Sequence, residues 1–130
     1  MTDRAQDFAE RLTTVEQDRD VDAFVAAAFA EDVVLLRPET GQELRGHDGA
    51  RTFWREYLQT FDSVRSTFSR VQDGEVGVLE WTSEATLVGG RDIAYRGVSL
   101  LDLADDGRVA RFATYYDTRV FQPAPVAQAG

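Results

Sequence analysis

The sequence predicts an α+β fold, a cone-shaped barrel of a strongly curved antiparallel sheet wrapped on three helices. Apolar residues in the first half of the chain recur at helical spacing. From Ser63 onward they alternate with polar ones instead, which is typical of strands. Turn signals at Asp73-Gly74, Gly89-Gly90 and 105–107 divide this second half, and such steps accept the positive φ angles of hairpin turns. The predicted order is therefore helices first and a meander of long strands afterwards.

Three helices are predicted in the first half. The first begins at Thr2 or Asp3 and runs to about Gln17. Asp20 is a suitable N-cap for the second, because its carboxylate can accept a hydrogen bond from a free backbone N–H of the first turn. The predicted buried stripe of this helix is Val21, Phe24, Val25, Ala28 and Phe29. The third, at about 48–61, has the clearest apolar stripe. Its members are Ala50, Phe53, Trp54, Tyr57, Leu58 and Phe61.

The strands follow from short apolar runs and from alternation. The run at 33–36 predicts a buried strand that ends before Pro38, and a second short strand is expected at 44–45. The long strands are predicted at about 63–72, 75–88, 92–104 and 108–121. Antiparallel strands of this length must twist and coil, so one face of the sheet should be concave. We expect a single domain over residues 1–121 and a mobile tail over 122–130, which holds two prolines and three alanines.

Composition excludes several classes of function. The 130 residues carry a net charge of −9, and such a surface repels nucleic acid and anionic membranes. With no cysteine and one histidine, the chain lacks thiolate nucleophiles and the usual zinc motifs, so no metal site is predicted. Nothing in the sequence resembles a signal peptide or a membrane span, and a cytoplasmic location is expected.

Alternation also predicts a pocket on the concave face. It places Tyr115 and Asp117 on one face of the last strand. With aromatic and small polar residues around them, the face suits a small, largely apolar ligand that has one or two polar handles. Asp117 is the candidate catalytic residue. The candidate ligand-binding residues are Arg37, Trp54, Tyr57, Trp81, Ser83, Tyr95, Ser99 and Tyr115.

Two of these residues have alternative interpretations. Buried beside aromatic rings, Asp117 would have a raised pKa and could exchange a proton near neutral pH. Alternatively it is solvated, or paired with Arg119, Arg111 or Arg37. Arg37 could neutralise an enolate or a carboxylate of a ligand, or it could form an ion pair with Asp117 or Glu39.

The opposite face of the sheet is predicted to carry many apolar side chains. A face this apolar is unfavourable in free solvent, so a homodimer through it is expected. Its predicted members are Thr82, Thr86, Val98, Leu100, Phe112, Thr114 and Tyr116.

Several short motifs resemble one family. They are Asp20-Val21-Asp22, Gly46-His47-Asp48-Gly49-Ala50, Arg96-Gly97-Val98-Ser99 and Tyr115-Tyr116-Asp117. Together they resemble the SnoaL-like branch of the nuclear transport factor 2-like superfamily, over roughly residues 5–121. The resemblance implies the conical fold and a pocket for a small hydrophobic metabolite. Function varies within the superfamily, so the site has to decide it.

The resemblance also implies candidate chemistry. In the SnoaL-like cyclases a lone aspartate, matched by Asp117, acts as acid/base on an activated carbon without metal or cofactor. By position, Arg37 stands where ketosteroid isomerase has its general base, and Ser99 where it has its acidic hydrogen-bond donor. Neither residue can take over that role. Limonene epoxide hydrolase is similar at Asp117, but Trp81 and Ser83 replace its other two groups. We therefore expect a cofactor-free isomerase or cyclase. The alternatives are a non-catalytic small-molecule-binding or dimerisation module and an epoxide hydrolase-like hydrolase.

Overall fold

The computed structural model describes residues 4–121. Within them two helices precede a pair of strands, a third helix follows, and four further strands complete the sheet. The helices are α1 (Arg4–Asp18), α2 (Val21–Ala28) and α3 (Gly46–Gln59). The strands are β1 (Phe29–Arg37), β2 (Gln42–Arg45), β3 (Phe61–Gln72), β4 (Val76–Leu87), β5 (Asp92–Leu103) and β6 (Val109–Tyr116). A short 3-10 helix, Thr118–Phe121, follows β6. The predicted tail at 122–130 lies outside the described residues.

The strands form one sheet in the order β2-β1-β6-β5-β4-β3. The fold class predicted from the sequence is confirmed, with a difference in the sheet. Strands β1 and β6 run parallel, whereas every other neighbouring pair is antiparallel. The sheet is therefore mixed, and its edge strands β2 and β3 do not pair to close a barrel. The parallel pair arises because the chain returns to β1 only at its last strand, after the whole meander.

Element boundaries differ from the predictions by a few residues at several places; Phe61, predicted at the end of α3, instead begins β3. Phe29 continues the apolar stripe of α2, but its backbone is extended (φ −114°, ψ 141°) and β1 begins there. Its ring is fully buried against Phe8 and Phe24, so the strand conformation still satisfies its hydrophobicity. The last strand ends at Tyr116 rather than at 121. No helix within residues 4–121 is long and apolar enough to cross a membrane.

The core is an aromatic cluster between the helices and the concave face of the sheet. Phe112 of β6 is 1% exposed, and its ring lies 5.9 Å from that of Phe8 and 5.6 Å from that of Trp54. The predicted outer face is therefore wrong for β6, because Phe112 and Tyr116 point inward. The cause is the pairing with β5, in which Leu101 lies opposite Phe112 and Ser99 opposite Thr114. Residues opposite each other share a face of the sheet.

Gly97 lets β5 pass under the ring of Trp81. A Cβ atom at this position would lie 2.6 Å from Cζ2 of Trp81 and closer still to the carbonyl oxygen of Tyr115. We expect Gly97→Ala to lower the free energy of unfolding by about 1–3 kcal/mol, the usual cost of overpacking. Urea denaturation would measure this loss. Arg96→Ala, an exposed neighbour, is the control, and equal stability of the two variants would contradict the packing argument.

Candidate functional site

A small cavity lies between α1, α3 and the concave face of the sheet. Its volume is about 30 Å³, which is enough for one or two water molecules. Helices α1 and α3 contribute Leu12, Glu16, Phe53, Trp54 and Tyr57 to its wall. The strands contribute Ser66, Trp81, Ser83, Ser99, Phe112, Thr114 and Tyr116. The cavity therefore combines aromatic walls with several buried polar groups.

A larger space of about 450 Å³, here called the vestibule, adjoins this cavity and opens to solvent. Phe53, Tyr57, Thr114 and Tyr116 line both spaces and so form the wall between them. The other vestibule residues come from the end of β1 and the loop after it, the outer side of α3 and the 3-10 helix. They are Leu36, Arg37, Pro38, Glu39, Thr40, Glu56, Thr60, Thr118 and Phe121.

Glu16 is a buried carboxyl group in the cavity wall. It lies on the apolar stripe of α1 and is 5% exposed. Both of its oxygens accept hydrogen bonds from Ser66, one from the backbone N–H at 2.9 Å and one from the hydroxyl at 2.6 Å. Burial raises the pKa of Glu16, and the two bonds from Ser66 oppose that rise without cancelling it. Among the described residues no cation forms an ion pair with it.

A chain of hydroxyl groups leads away from Glu16. The hydroxyl oxygens of Ser66 and Ser83 are 2.6 Å apart. Ser83 lies opposite Tyr95 in the β4–β5 pairing. Tyr95 in turn shares a short hydrogen bond with the hydroxyl of Tyr57. The hydrogen bonds of Glu16, Ser66 and Ser83 thus join α1 to β3 and β4, and the bond between Tyr95 and Tyr57 joins β5 to α3 beside the vestibule.

A second polar group in the cavity surrounds Trp81. Its indole N–H donates to the hydroxyl of Ser99 at 3.0 Å, and Ser99 is 2.9 Å from the hydroxyl of Thr114. Trp54 differs, because its buried indole N–H has no hydrogen-bond partner within the part of the chain that the structure describes. Leaving such a donor unsatisfied costs about 1–3 kcal/mol. The cavity therefore holds one indole that is satisfied and one that is not.

Most residues predicted to bind a ligand come together here. Trp54, Tyr57, Trp81, Ser83 and Ser99 line the cavity. Tyr95 lies behind Tyr57, to which it is bonded. Their role in binding stays a prediction. Arg37 lies in the vestibule and forms an ion pair with Glu56. It forms no ion pair with Asp117 among the described residues. Its guanidinium carbon lies 5.4 Å from the ring centroid of Phe53.

Asp117 and Tyr115 lie elsewhere, so their predicted position on the concave face is wrong. Asp117 is on the surface and accepts hydrogen bonds from Nε of Arg119 at 3.1 Å and from its Nη2 at 3.0 Å. These bonds lower the pKa of Asp117, the opposite of the expected rise. Tyr115 is 46% exposed. The cause is the register of β6, whose inner residues are Phe112, Thr114 and Tyr116. The position of Asp117 on the surface therefore does not support a catalytic role for it.

Metal-binding groups do not cluster in the described part of the chain. No three His, Cys, Asp or Glu side chains among residues 4–121 are placed to hold one ion. The polar groups of the cavity are hydroxyls, indoles and one carboxyl. Such a set suits hydrogen bonding and proton exchange.

The chain is similar to proteins of one domain family and to solved structures with the same fold. The family model of the SnoaL-like domain matches residues 9–112. An NTF2-like protein of unknown function from Burkholderia pseudomallei is 24% identical, with a TM-score of 0.77 over 95% of this chain and 100% of that one. A search of curated proteins finds none that matches.

Two further solved structures share the fold at lower identity. A putative SnoaL-like polyketide cyclase from Jannaschia sp. is 16% identical, with a TM-score of 0.77 over 93% of this chain and 94% of that one. An epoxide hydrolase/cyclase-like enzyme of pyran ring formation in polyether salinomycin is 17% identical, with a TM-score of 0.75 over 90% of this chain and 92% of that one.

Burial of Glu16 should make the stability of the protein depend on pH in a defined direction. The folded pKa is raised above 4.5, the ordinary value. The folded state therefore binds more protons than the unfolded state between those two values, and stability falls as pH rises through the folded pKa. Glu16→Gln does not titrate, so its stability relative to the wild type should increase from acid to neutral pH.

Urea denaturation at several pH values measures this difference. It should amount to about 1.4 kcal/mol for each unit by which the two pKa values differ. Glu10→Gln, an exposed position on the same helix, is the matched control. If the stability of Glu16→Gln relative to the wild type stays constant or falls as pH rises, the pKa of Glu16 is not raised in the folded state.

Proposed function

Because the chain belongs to the SnoaL-like domain family, we propose that it binds a small, largely apolar molecule and catalyses a cofactor-free proton transfer on it. Glu16 is the acid/base group of this proposal. One observation carries it: a carboxyl group is buried in the wall of an aromatic cavity and forms no ion pair with any residue in the described part of the chain. Carboxyls with pKa values raised toward neutral pH are effective general acids and bases.

The shape and lining of the site support an apolar ligand. The vestibule, at about 450 Å³, falls within the range of small-molecule pockets. Phe53, Tyr57, Tyr116 and Phe121 give it aromatic walls, against which a flat ring system would bury its faces.

Trp54 supports the presence of a polar handle on the ligand. Its N–H lacks a partner in the described chain, although the side chain is 3% exposed and lines the cavity. An oxygen atom of a ligand, or a water molecule bound with it, would remove the cost of this unsatisfied donor. The indole of Trp81 needs no such partner, since Ser99 already accepts its hydrogen bond.

The fold relatives are consistent with this chemistry, since they include a putative polyketide cyclase and an epoxide hydrolase/cyclase-like enzyme. An epoxide-opening reaction is less well supported than proton transfer. Trp81 and Ser83 occupy the positions that the resemblance assigns to the hydrolase's other two groups, and both are committed to hydrogen bonds with neighbouring hydroxyls. A cytoplasmic location stays a prediction from the sequence.

Exchange of carbon-bound hydrogen for deuterium tests the proposal without knowledge of the natural substrate. 2-Tetralone is a small aromatic ketone whose α-hydrogens exchange in D₂O, and NMR follows their loss. The wild type should accelerate this exchange. Glu16→Gln keeps the shape of the side chain but cannot take a proton, and it should lose on the order of 10²-fold of the acceleration.

Asp117→Asn is the matched carboxyl-to-amide control and should keep the full rate. Loss of activity in Asp117→Asn with retention in Glu16→Gln would restore Asp117 as the acid/base. Saturable binding of 2-tetralone with no acceleration by the wild type would leave a non-catalytic binding module instead.

A homodimer through the outer face of the sheet is also proposed, with a corrected set of residues. On that face Val98 lies opposite Tyr115, and Leu100 is two residues further along β5. Val78 pairs with Leu100 on the other side. These apolar side chains support the same face that the sequence suggested, although Phe112 and Tyr116 do not belong to it.

Sedimentation of the Leu100→Asp variant tests this dimer. A charge in the middle of a buried apolar interface is costly, so the variant should sediment as a monomer at concentrations where the wild type is a dimer. Ala26→Asp, at an exposed position of α2 away from the outer face of the sheet, is the control. A wild type that sediments as a monomer at micromolar concentration would refute the dimer.

A further inference from the structure

We infer that the cavity beside Glu16 binds the ammonium group of a small primary amine. Glu16 supplies the negative charge that a buried cation needs, and aromatic rings supply most of the surrounding wall. The ligand class is therefore a primary alkylammonium ion with a small charged end, such as methylammonium. This cation site lies in the cavity rather than in the vestibule, and it goes beyond the proposed function without depending on it.

The carboxyl group of Glu16 is buried without an opposite charge. Ser66 donates one hydrogen bond to each of its oxygens, at 2.9 Å from the backbone and at 2.6 Å from the hydroxyl. A carboxylate has about four lone-pair sites, so it can accept further bonds. Among residues 4–121 no cation forms an ion pair with it. Because a buried charge is costly unless it is paired, a cation in the cavity would supply the missing partner.

Aromatic rings enclose the cavity from several directions. The rings in its wall are those of Phe53, Trp54, Tyr57, Trp81, Phe112 and Tyr116. The planes of Trp54 and Tyr57 meet at 83°. Those of Phe53 and Phe112 meet at 80°. The face of an aromatic ring attracts a cation, and cages of such rings are used to bind alkylammonium groups.

Hydroxyl groups provide further acceptors for the ammonium. A primary ammonium has three N–H donors, of which Glu16 can accept one. The oxygens of Ser83, Ser99 and Thr114 also line the cavity and can accept others. The indole N–H of Trp54 is itself a donor, so it is no partner for a cation and is left to a water molecule or to an oxygen of the ligand.

The volume of the cavity limits the size of the cation. About 30 Å³ holds one or two water molecules, and so an ion of similarly few heavy atoms. Ammonium and methylammonium meet this limit, whereas a tetraalkylammonium does not. A longer alkyl chain would extend toward the vestibule past Tyr116, which lines both spaces and whose phenol makes no hydrogen bond in the described part of the chain.

Both approaches to the cavity carry an excess of negative charge. The charged residues of the vestibule are Arg37, Glu39 and Glu56. On the other side Glu16 also lines a surface groove, whose other charged residues are Arg19, Asp62, Arg65, Glu84 and Asp92. Each set has one more carboxylate than it has guanidinium groups, and the whole chain has a net charge of −9. Such a field raises the local concentration of cations and lowers that of anions.

Titration of the full chain with methylammonium at neutral pH tests the cation site. A primary amine such as the lysine side chain has a pKa of about 10.4, so this probe is a cation under these conditions. Methanol has the same number of heavy atoms and no charge, and it is the matched neutral probe. Both tryptophans of the chain line the cavity, so their two indole N–H signals in a ¹H–¹⁵N correlation spectrum report binding there.

Methylammonium should shift both indole signals until they saturate. It should bind at least about tenfold more tightly than methanol, because only the cation gains an ion pair and ring contacts. Tetraethylammonium has the same charge but exceeds the volume of the cavity, so it should leave the indole signals unchanged.

Two variants separate the charge from the aromatic wall. Glu16→Gln keeps the shape but removes the charge, and it should abolish the preference for methylammonium over methanol. Glu10→Gln, exposed on the same helix, is its control. Tyr116→Leu removes one ring and should weaken methylammonium binding by about three- to tenfold. Tyr115→Leu, the neighbouring tyrosine on the outer face, is the matched control and should bind as the wild type does.

The cation site is refuted if methylammonium leaves the indole signals of the wild type unchanged. Equal affinity of the wild type and Glu16→Gln, or equal binding of tetraethylammonium, would show only attraction to the acidic surface and would also refute it. The titration involves neither 2-tetralone nor deuterium exchange. If exchange is accelerated and methylammonium does not bind, the proposed function stands and the cation site falls. If methylammonium binds as expected without any acceleration of exchange, the reverse holds.

Discussion

The pairing register between β5 and β6 is the constraint on which the rest of the site depends. Ser99 lies opposite Thr114 and Leu101 opposite Phe112, which turns Phe112, Thr114 and Tyr116 toward the helices. This register fills the core with an aromatic ring and gives the cavity wall a hydroxyl and a phenol. It also sends Tyr115 to the outer surface. A shift by one residue would exchange the two faces completely.

Within that frame, α1 brings a carboxyl group into contact with the sheet. Burying a carboxyl is unfavourable, and the structure limits the cost by hydrogen bonds rather than by an opposite charge. Ser66 uses both its backbone and its side chain for this purpose. Between residues 4 and 121 no cation forms an ion pair with Glu16, so no directly paired positive charge favours its ionised form. The same residues that reduce the burial cost thus preserve the chemistry.

Local patterns predicted the family, the three helices and the four long strands, because each depends on spacing within one segment. The inner faces of β4 and β5 also followed from alternation, which is why Trp81, Ser83 and Ser99 line the cavity as expected. The face of β6 did not follow, since it depends on register against another strand, and alternation alone allows either choice. Glu16 was missed although it sits at apolar spacing after Leu12 on α1, and an acidic residue on such a stripe is the signal that was available.

The proposed acid/base role of Glu16 depends on a carboxyl pKa that burial raises above its ordinary value. A carbon-13 NMR titration of the glutamate side-chain carboxyls, with the Glu16 signal assigned by its loss in Glu16→Gln, measures this directly. We expect a pKa for Glu16 above its ordinary value of 4.5, because the effect of burial outweighs that of the two hydrogen bonds from Ser66. A measured pKa at or below that value would mean that Glu16 is permanently ionised at neutral pH, and the proposed acid/base role would be contradicted.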